Sequence, residues 1–158
     1  MLIVIPDIWI VIINFLLWFI IHISIAYFGT ILPIKYINID SWLFKQRKWE
    51  KNGKFYESYF RIKKWKELLP DGSTLFKKGF KKKRIVSSNT EYFNIFIIEV
   101  CRAEFVHWLV ILFSPLFFIW NYPFSGFIMI LYAMIANIPC IIAQRYNRIR
   151  FKRIVSNS

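Results

Sequence analysis

The sequence predicts an all-α integral membrane protein, a single domain over residues 1–158, with about three transmembrane helices and amphipathic interfacial helices in a basic cytoplasmic segment. Of its 158 residues, 57% are hydrophobic and 20% are aromatic, and the mean hydropathy is +0.43. A soluble domain of this length cannot bury so much apolar surface. Several apolar runs also approach or exceed the roughly 20 residues that a bilayer requires. The formal net charge of +13 favours contact with anionic headgroups over nucleic acid, because the basic residues flank these runs.

The first span is predicted at about residues 8–32. The run from residue 8 to residue 34 is apolar apart from a few small or polar side chains. Because proline lacks a backbone N–H and restricts the residue before it, Pro33 is expected to end the regular helix and begin a short exit segment. Trp9 and Tyr36 lie near opposite ends of the run, where amphipathic rings favour the membrane–water interface.

The segment 35–92 is predicted to be cytoplasmic, basic and folded into short interfacial helices. Residues 35–91 contain 16 Lys or Arg against 6 Asp or Glu. Aromatic residues are threaded among these cations, which is typical of amphipathic helices lying in the interface. Residues 68–72 (LLPDG) predict a turn. Residues 77–84, with six basic side chains, predict a loop that either is solvated or contacts anionic lipid or a phosphate-bearing substrate.

The second and third spans, at about residues 95–120 and 127–144, are predicted to form a helical hairpin. Asn89 or Thr90 can cap the second helix, and a polar turn at residues 121–126 (NYPFSG) joins it to the third. Pro139 is expected to kink or loosen the third helix. Of the basic tail 145–158, residues 149–158 are expected to be ordered only at their start. The positive-inside bias places the C-terminus in the cytoplasm and the N-terminus outside, in a multi-pass protein of the cell membrane.

A polar arc on the second helix is the candidate catalytic site. Its members are Glu99, Arg102, Glu104 and His107. A spacing of three lets Glu104 meet His107 and lets Glu99 meet Arg102. Ionisable groups at membrane depth are costly unless they are paired or face a cavity, so by default they indicate a site. As a neutral base, His107 can take a proton from a hydroxyl, with Glu104 or Glu99 orienting it. The alternative is a structural hydrogen-bond network around a buried histidine.

The third helix carries a second set of polar candidates. Asn137 and Gln144 are seven residues apart and therefore lie on one face. Asn137 is expected to meet the polar arc across the hairpin, either as part of a site or as a hydrogen bond that only joins two helices. A donor-rich cluster follows, made of Arg145, Tyr146, Asn147 and Arg148. Such a cluster suits phosphate groups, although arginines at a helix end also anchor in headgroups.

Several classes of site have no pattern in this sequence. It lacks a nucleophile motif, a glycine-rich phosphate loop, a metal-ligand set and the H-x-x-x-x-D pattern of many lipid acyltransferases. Cys101 and Cys140 have no ligand-like neighbours, so both are predicted to be free buried thiols. No metal and no resident cofactor are predicted.

Four stretches carry a family resemblance: RAEFVHW at 102–108, YAMIANIPCIIAQRYNR at 132–148, a GKF…KKWK…DG pattern between 53 and 72, and GTILPIKY at 29–36. In order and approximate spacing they resemble the glycosyl-4,4'-diaponeurosporenoate acyltransferases, bacterial enzymes that complete staphyloxanthin-type carotenoids. The resemblance covers nearly the whole chain. It implies transfer of a fatty acyl group to the primary hydroxyl of a membrane-bound glucosyl carotenoid, or of another glycolipid in relatives. It assigns no catalytic residues.

The polar arc and the resemblance combine into one hypothesis. His107 is the base, Glu104 orients it with Glu99 as the alternative carboxylate, and Arg102 or Asn137 stabilises the tetrahedral oxyanion. The acyl donor is expected to be acyl-CoA, a co-substrate whose phosphates contact basic residues. The predicted substrate-binding residues are Asn137, Gln144, Arg145, Tyr146, Asn147, Arg148, Lys63, Lys64, Trp65 and Lys66. The alternative from another class is a non-catalytic membrane scaffold or a subunit of a lipid-modifying complex.

Overall fold

The computed structural model describes residues 6–69 and 89–156, and every regular element within them is helical. These residues form the α-helices α1 (Asp7–Ile31), α2 (Lys54–Ser58), α3 (Thr90–Phe113) and α4 (Pro123–Ser156). Shorter 3-10 helices cover Ile34–Tyr36, Lys48–Gly53, Ile62–Lys64, Lys66–Leu68 and Ser114–Ile119. The all-helical prediction is confirmed for this part of the chain. The predicted loop at 77–84 lies outside the described residues, as does most of the predicted turn at 68–72.

Helix α1 ends where the sequence predicts. Leu32 leaves the helix with an extended backbone immediately before Pro33, in keeping with the restriction that a proline places on its predecessor. The helix packs against α3 at Gly29, where an added Cβ would lie 2.4 Å from a methyl carbon of Val106. Glycine therefore allows a helix contact that any larger residue would push apart. Trp18 continues this packing further along α1 by stacking on Phe117, with ring centroids 4.6 Å apart.

Helix α3 begins at a side-chain cap and ends at a change of helix type. The carboxamide of Asn89 accepts a hydrogen bond from the backbone N–H of Tyr92 at 2.8 Å, which confirms the predicted cap. The α-helix stops at Phe113 and continues as the 3-10 helix Ser114–Ile119, with Pro115 in its first turn. The connection to α4 is shorter than predicted, because α4 already begins at Pro123, a residue suited to the first turn of a helix.

Helix α4 is longer than the sequence predicts. It runs for 34 residues, stays helical through Pro139 and reaches Ser156. The expectation that residues 149–158 are ordered only at their start is therefore wrong for residues 149–156. Packing explains the difference: the ring of Phe151 lies 5.4 Å from that of Phe93 and 4.3 Å from that of Phe96, both on α3. Burial of these rings stabilises the last turns of α4.

Two helices, α1 and α4, are long and apolar enough to cross a membrane, judged by length and composition. Large apolar side chains on both are exposed, such as Phe15 at 75% and Ile135 at 66%, which suits a surface that faces lipid. Helix α3 does not meet the same test. The predicted span at 95–120 therefore stays a prediction.

The described part of the basic segment packs against the C-terminal half of α4. Tyr56 and Ile62 are buried together with Ala143, Tyr146 and Ile149 of α4. These contacts fix the segment beside the polar residues of the hairpin. The predicted interfacial position of its short helices stays a prediction.

Candidate active site

His107 of α3 and Asn137 of α4 face each other across the hairpin. Nδ1 of His107 lies 2.9 Å from Oδ1 of Asn137, so the predicted contact between Asn137 and the polar arc is present. The amide nitrogen of Asn137 donates to the carbonyl oxygen of Ala133 at 2.9 Å. Since a carbonyl only accepts, the amide oxygen of Asn137 must be the atom that faces the histidine.

This geometry determines the tautomer of a neutral His107. An oxygen acceptor opposite Nδ1 requires the proton on Nδ1, so the lone pair of the neutral ring resides on Nε2. His107 is half-buried on α3, and its role as a base stays a prediction. Asn137 contacts the ring nitrogen at which the sequence predicts a carboxylate, Glu104 or Glu99.

Glu104 lies one helical turn before His107 and is fully buried. One carboxylate oxygen accepts a short hydrogen bond from Arg148. The other oxygen lies 3.7 Å from Nη1 of Arg145 and accepts a hydrogen bond from the indole N–H of Trp108 at 3.4 Å. Both oxygens therefore contact partners that lie on α4 or on the next turn of α3. The catalytic role of Glu104 stays a prediction.

Glu99 and Arg102 form the ion pair that their spacing predicts. Nη2 of Arg102 lies 2.6 Å from the Glu99 carboxylate. Its Nη1 donates to the carbonyl oxygen of Leu32 at 3.1 Å, which ties α3 to the residue where α1 ends. The guanidinium satisfies a carbonyl that the helix end leaves without an intrahelical partner.

A buried ionic cluster closes the basic end of the hairpin, and we define it as Glu50, Glu104, Arg145 and Arg148. Arg145 joins the two carboxylates: its Nε donates to Glu50 at 3.2 Å, and its Nη1 faces Glu104. Arg148 is 1% exposed, whereas both glutamates are 0% exposed. Two positive and two negative charges balance, which is the condition under which charges are tolerated so far from water.

Glu50 and Tyr56 were not among the sequence-predicted site residues. The hydroxyl of Tyr56 donates to Glu50 at 2.6 Å, and the backbone N–H of Arg47 donates to the other carboxylate oxygen. Burial, together with the hydrogen bond to Glu50, holds the pKa of Tyr56 well above its usual value. Glu50 is one of few acids in a basic segment, which is a weak signal, but no spacing links it to Arg145.

Several of the predicted substrate-binding residues bind other parts of the chain through their polar groups. The hydroxyl of Tyr146 donates to Glu57 at 2.7 Å. The ammonium of Lys66 donates to Asn147 at 3.2 Å. These bonds attach the basic segment to α4.

Among the other predicted substrate-binding residues, some bind within the chain and some have polar atoms without a hydrogen-bond partner in the described part of the chain. Lys63 pairs with Glu57 at 2.9 Å, and the indole of Trp65 donates to the carbonyl oxygen of Phe60 at 2.7 Å. Lys64 is exposed. Two buried atoms, Oε1 of Gln144 and Nη2 of Arg148, have no hydrogen-bond partner among the described residues. The substrate-binding roles of all these residues stay predictions.

Cys101 and Cys140 are both free and buried, as the sequence predicts. Sγ of Cys101 lies 3.8 Å from Nη1 of Arg148, beside the buried ionic cluster. Within residues 6–69 and 89–156, no group of three or more His, Cys, Asp or Glu side chains is arranged to hold a metal ion.

Comparison with known proteins assigns the chain to a family. Residues 40–157 match the family model described as glycosyl-4,4'-diaponeurosporenoate acyltransferase. Relatives that carry this name in the USA300 and Newman strains of Staphylococcus aureus are each 39% identical over 139 residues, an alignment that covers 87% of this chain and 83% of each relative. No solved structure matches the chain. The resemblance seen in the sequence is confirmed, and the chain belongs to the glycosyl-4,4'-diaponeurosporenoate acyltransferase family as an enzyme of the acyltransferase class.

Proposed function

We propose that this protein transfers a fatty acyl group from an acyl thioester, acyl-CoA, to a sugar hydroxyl of a glycosylated carotenoid or a related glycolipid. The names of its relatives support the acceptor class. The tautomer that Asn137 imposes on His107 is the observation that carries the mechanism, because it makes Nε2 the basic nitrogen of the ring.

In the proposed reaction, Nε2 of His107 takes the proton of the sugar hydroxyl as the oxygen attacks the thioester carbonyl. A C–O bond forms, and the tetrahedral intermediate collapses with cleavage of the C–S bond. The imidazolium then returns the proton to the departing sulfur, which yields the ester and the free thiol. Asn137 accepts the Nδ1–H throughout, so the ring keeps one orientation for both proton transfers.

Arg102 is the better of the two proposed oxyanion stabilisers. The amide of Asn137 already donates to Ala133 and accepts from His107. A guanidinium carries five N–H donors, and the bonds of Arg102 to Glu99 and to the Leu32 carbonyl account for two of them. A cation close to a developing negative charge stabilises the transition state more than the ground state.

The proposed setting is the cell membrane, crossed more than once, with the basic segment and the C-terminus in the cytoplasm. Two long apolar helices with lipid-facing side chains support this arrangement. The basic side of the molecule then faces both the anionic headgroups and a water-soluble thioester. The acyl chain and the apolar part of the acceptor enter from the bilayer.

The proposal is tested with purified protein in lipid nanodiscs, supplied with palmitoyl-CoA and a glycosylated carotenoid or glucolipid acceptor. Release of free thiol and the mass of the acylated product are measured together. The variant His107→Gln is expected to lower turnover by about 10²–10⁴-fold, the usual contribution of a general base, and to remain inserted. The matched control is His22→Gln on α1, whose ring lies 5.5 Å from that of Trp18, and it should keep its activity.

Two results would contradict the proposal. Near-normal product from His107→Gln would remove His107 from the mechanism. An absence of thiol release by the unsubstituted protein with every acceptor would refute transfer from acyl-CoA. Mass spectrometry of lipids from a host with and without the gene then identifies the natural acceptor by the precursor that accumulates.

A further inference from the structure

A groove of about 620 Å³ lies between α3, the end of α4 and the basic segment. The walls from the two helices are Asn94, Ile97, Ile98, Ile149, Lys152, Arg153, Val155 and Ser156, and the opposite wall is Ile39, Gln46 and Asn52. We name it the amide groove. None of these residues has a role predicted from the sequence.

The chemistry of the amide groove suits an anion joined to a polar chain. Among the residues that the structure describes, Lys152 and Arg153 are the charged residues that line it, and none of the lining residues carries a carboxylate. Lys152 lies 3.5 Å from Asp40, whose side chain is 83% exposed. So exposed an ion pair contributes little stability, and a phosphate can replace it at small cost. Isoleucine side chains form an apolar floor, and three carboxamides supply donors and acceptors at the rim.

The wall that carries Asn52 is a strained turn. Lys51, Asn52 and Gly53 all have left-handed backbones, with φ values of 46°, 55° and 90°. Such backbones persist in residues other than glycine only when the surroundings enforce them, and they cluster at functional sites. Here the surroundings are the buried Glu50, which precedes the turn, and Tyr146, whose ring would lie 3.5 Å from a Cβ on Gly53. The carboxamide of Asn52 also accepts a hydrogen bond from Gln46 at 2.9 Å.

The amide groove and His107 are separated along the axes of α3 and α4. Along α3, Ile98 of the groove precedes His107 by nine residues, or about 14 Å at the helical rise. Along α4, Ile149 follows Asn137 by twelve residues, or about 18 Å. Ile98 and His107 point to opposite sides of α3, so a ligand that reaches from the groove to His107 needs a flexible spacer at least as long as this axial distance. The pantetheine arm, which separates the thioester of an acyl-CoA from its diphosphate, is such a spacer.

We propose that the amide groove binds the diphosphate end of the acyl-CoA donor, with Lys152 and Arg153 contacting the phosphates and the carboxamides contacting the polar arm. This inference rests on the proposed function, since it requires a thioester donor. It explains how a donor head can be held although Arg145 and Arg148 are already occupied in the buried ionic cluster. The groove lies at the basic end of the hairpin, so the acyl chain can extend from it towards the apolar part of the molecule.

The test compares two donors that share one thioester. Palmitoyl-CoA carries the phosphates, whereas S-palmitoyl-pantetheine lacks them. The unsubstituted enzyme should use palmitoyl-CoA with a kcat/KM at least about tenfold higher, through KM, because charge-assisted hydrogen bonds to phosphate are lost with the truncated donor. The double variant Lys152→Gln/Arg153→Gln should lose this preference and keep its activity with S-palmitoyl-pantetheine. The control Lys48→Gln/Lys54→Gln removes the same charge from exposed positions outside the groove and should keep the preference.

The outcomes separate this inference from the proposed function. If the unsubstituted enzyme consumes neither thioester, the proposed function is wrong. If it transfers acyl groups but uses both donors equally, or if Lys152→Gln/Arg153→Gln keeps the preference, the groove proposal alone is wrong. A variant that keeps its donor preference but loses its dependence on phosphatidylglycerol in vesicles would show that the groove holds a lipid headgroup instead, which also overturns the proposal.

A second measurement needs no variant and so is independent of folding defects. Free CoA should protect Lys152 of the unsubstituted protein from a lysine-acylating reagent, as read by peptide mass spectrometry. Lys48 and Lys54 should stay reactive in the same sample. Equal modification of Lys152 with and without CoA would overturn the proposal.

Discussion

Two polar pairs join α3 to α4, and they differ in charge; their members are three residues apart on α3 and eleven residues apart on α4. Glu104 and Arg148 are oppositely charged, almost wholly removed from solvent, and linked through Arg145 to Glu50. His107 and Asn137 form a neutral pair in which Asn137 is buried and His107 is half-buried. Both pairs bridge the same helices, but only the neutral pair contains an imidazole, the side chain most often used as a general base.

We expect the charged pair to stabilise the fold and the neutral pair to take part in the reaction. Charges without water are costly, so the buried ionic cluster contributes to folding only while all its members are present. It therefore couples the hairpin to the segment that carries Glu50. The neutral pair costs less to bury and can change protonation without leaving a charge uncompensated on the other helix. Variants of the Glu104–Arg148 pair should therefore affect stability, and variants of the His107–Asn137 pair should affect turnover.

The largest expected effect is on folding and comes from Arg148→Met. Removing this guanidinium leaves the carboxylate of Glu104 buried without its closest partner, at a cost of about 3–5 kcal/mol. We expect a large fall in the midpoint of thermal unfolding in detergent. The matched control is Arg150→Met, an exposed arginine on the same helix, which should change stability by no more than about 0.5 kcal/mol.

The double variant Glu104→Leu/Arg148→Met sharpens this prediction. With both charges gone the desolvation cost disappears, so most of the lost stability should return. If Arg148→Met alone were as stable as the unsubstituted protein, the buried ionic cluster would not stabilise the fold. Comparing activity at equal stability then determines whether Glu104 has the catalytic role predicted from the sequence.

The next largest effect is on turnover and comes from Asn137→Leu. The variant removes the acceptor opposite Nδ1, so the ring of His107 loses its fixed tautomer. We expect kcat to fall by at least about tenfold, since a hydrogen bond to a group that becomes charged contributes about 1.5–3 kcal/mol. Asn137→Asp keeps an oxygen at this position and should retain more activity than Asn137→Leu. Equal activity of Asn137→Leu and the unsubstituted protein would show that this contact only joins two helices.

A smaller effect on stability is expected from Tyr56→Phe. Its hydroxyl donates to the fully buried Glu50, and the loss of one such bond costs about 1.5 kcal/mol. Tyr59→Phe removes the same hydroxyl from a side chain that is 77% exposed and should have no measurable effect. If the two variants have the same melting temperature, the hydrogen bond from Tyr56 to Glu50 does not contribute to stability.

The features that the sequence predicts are those with a local cause. Proline geometry placed the end of α1 before Pro33, and capping chemistry placed the start of α3 at Asn89. Helical periodicity put Glu99 beside Arg102 and turned Asn137 towards the polar arc. Each of these inferences uses residues of one helix or of one short hairpin.

The features that the sequence misses depend on contacts between distant residues. Glu50 meets Arg145 across 95 positions of the chain, so no spacing rule connects them. The last turns of α4 look like a basic tail until Phe151 is seen packed against Phe93. Residues such as Tyr146 were predicted to bind phosphate, and the structure shows them attaching the basic segment to α4. A donor-rich pattern does not distinguish an internal carboxylate from an external anion.

The smallest expected effect on stability comes from Glu57→Gln, which breaks an ion pair at the surface rather than a buried one. Glu57 accepts hydrogen bonds from Lys63 and Tyr146, and these lower the pKa of its carboxyl below the usual value. A lowered pKa contributes stability that is complete above the unfolded-state value of about 4.3 and is lost as the pH falls through the folded-state value.

At pH 7 the unsubstituted protein should therefore be slightly more stable to unfolding than Glu57→Gln, by about 0.5 kcal/mol or less because the pair is exposed. The difference should vanish once the pH lies below the folded-state pKa of Glu57, and Glu67→Gln provides the same substitution at another exposed position of the segment. A loss at pH 7 as large as that of Arg148→Met would mean that burial does not distinguish the two ion pairs, and the separation between a stabilising cluster and a catalytic pair would fail.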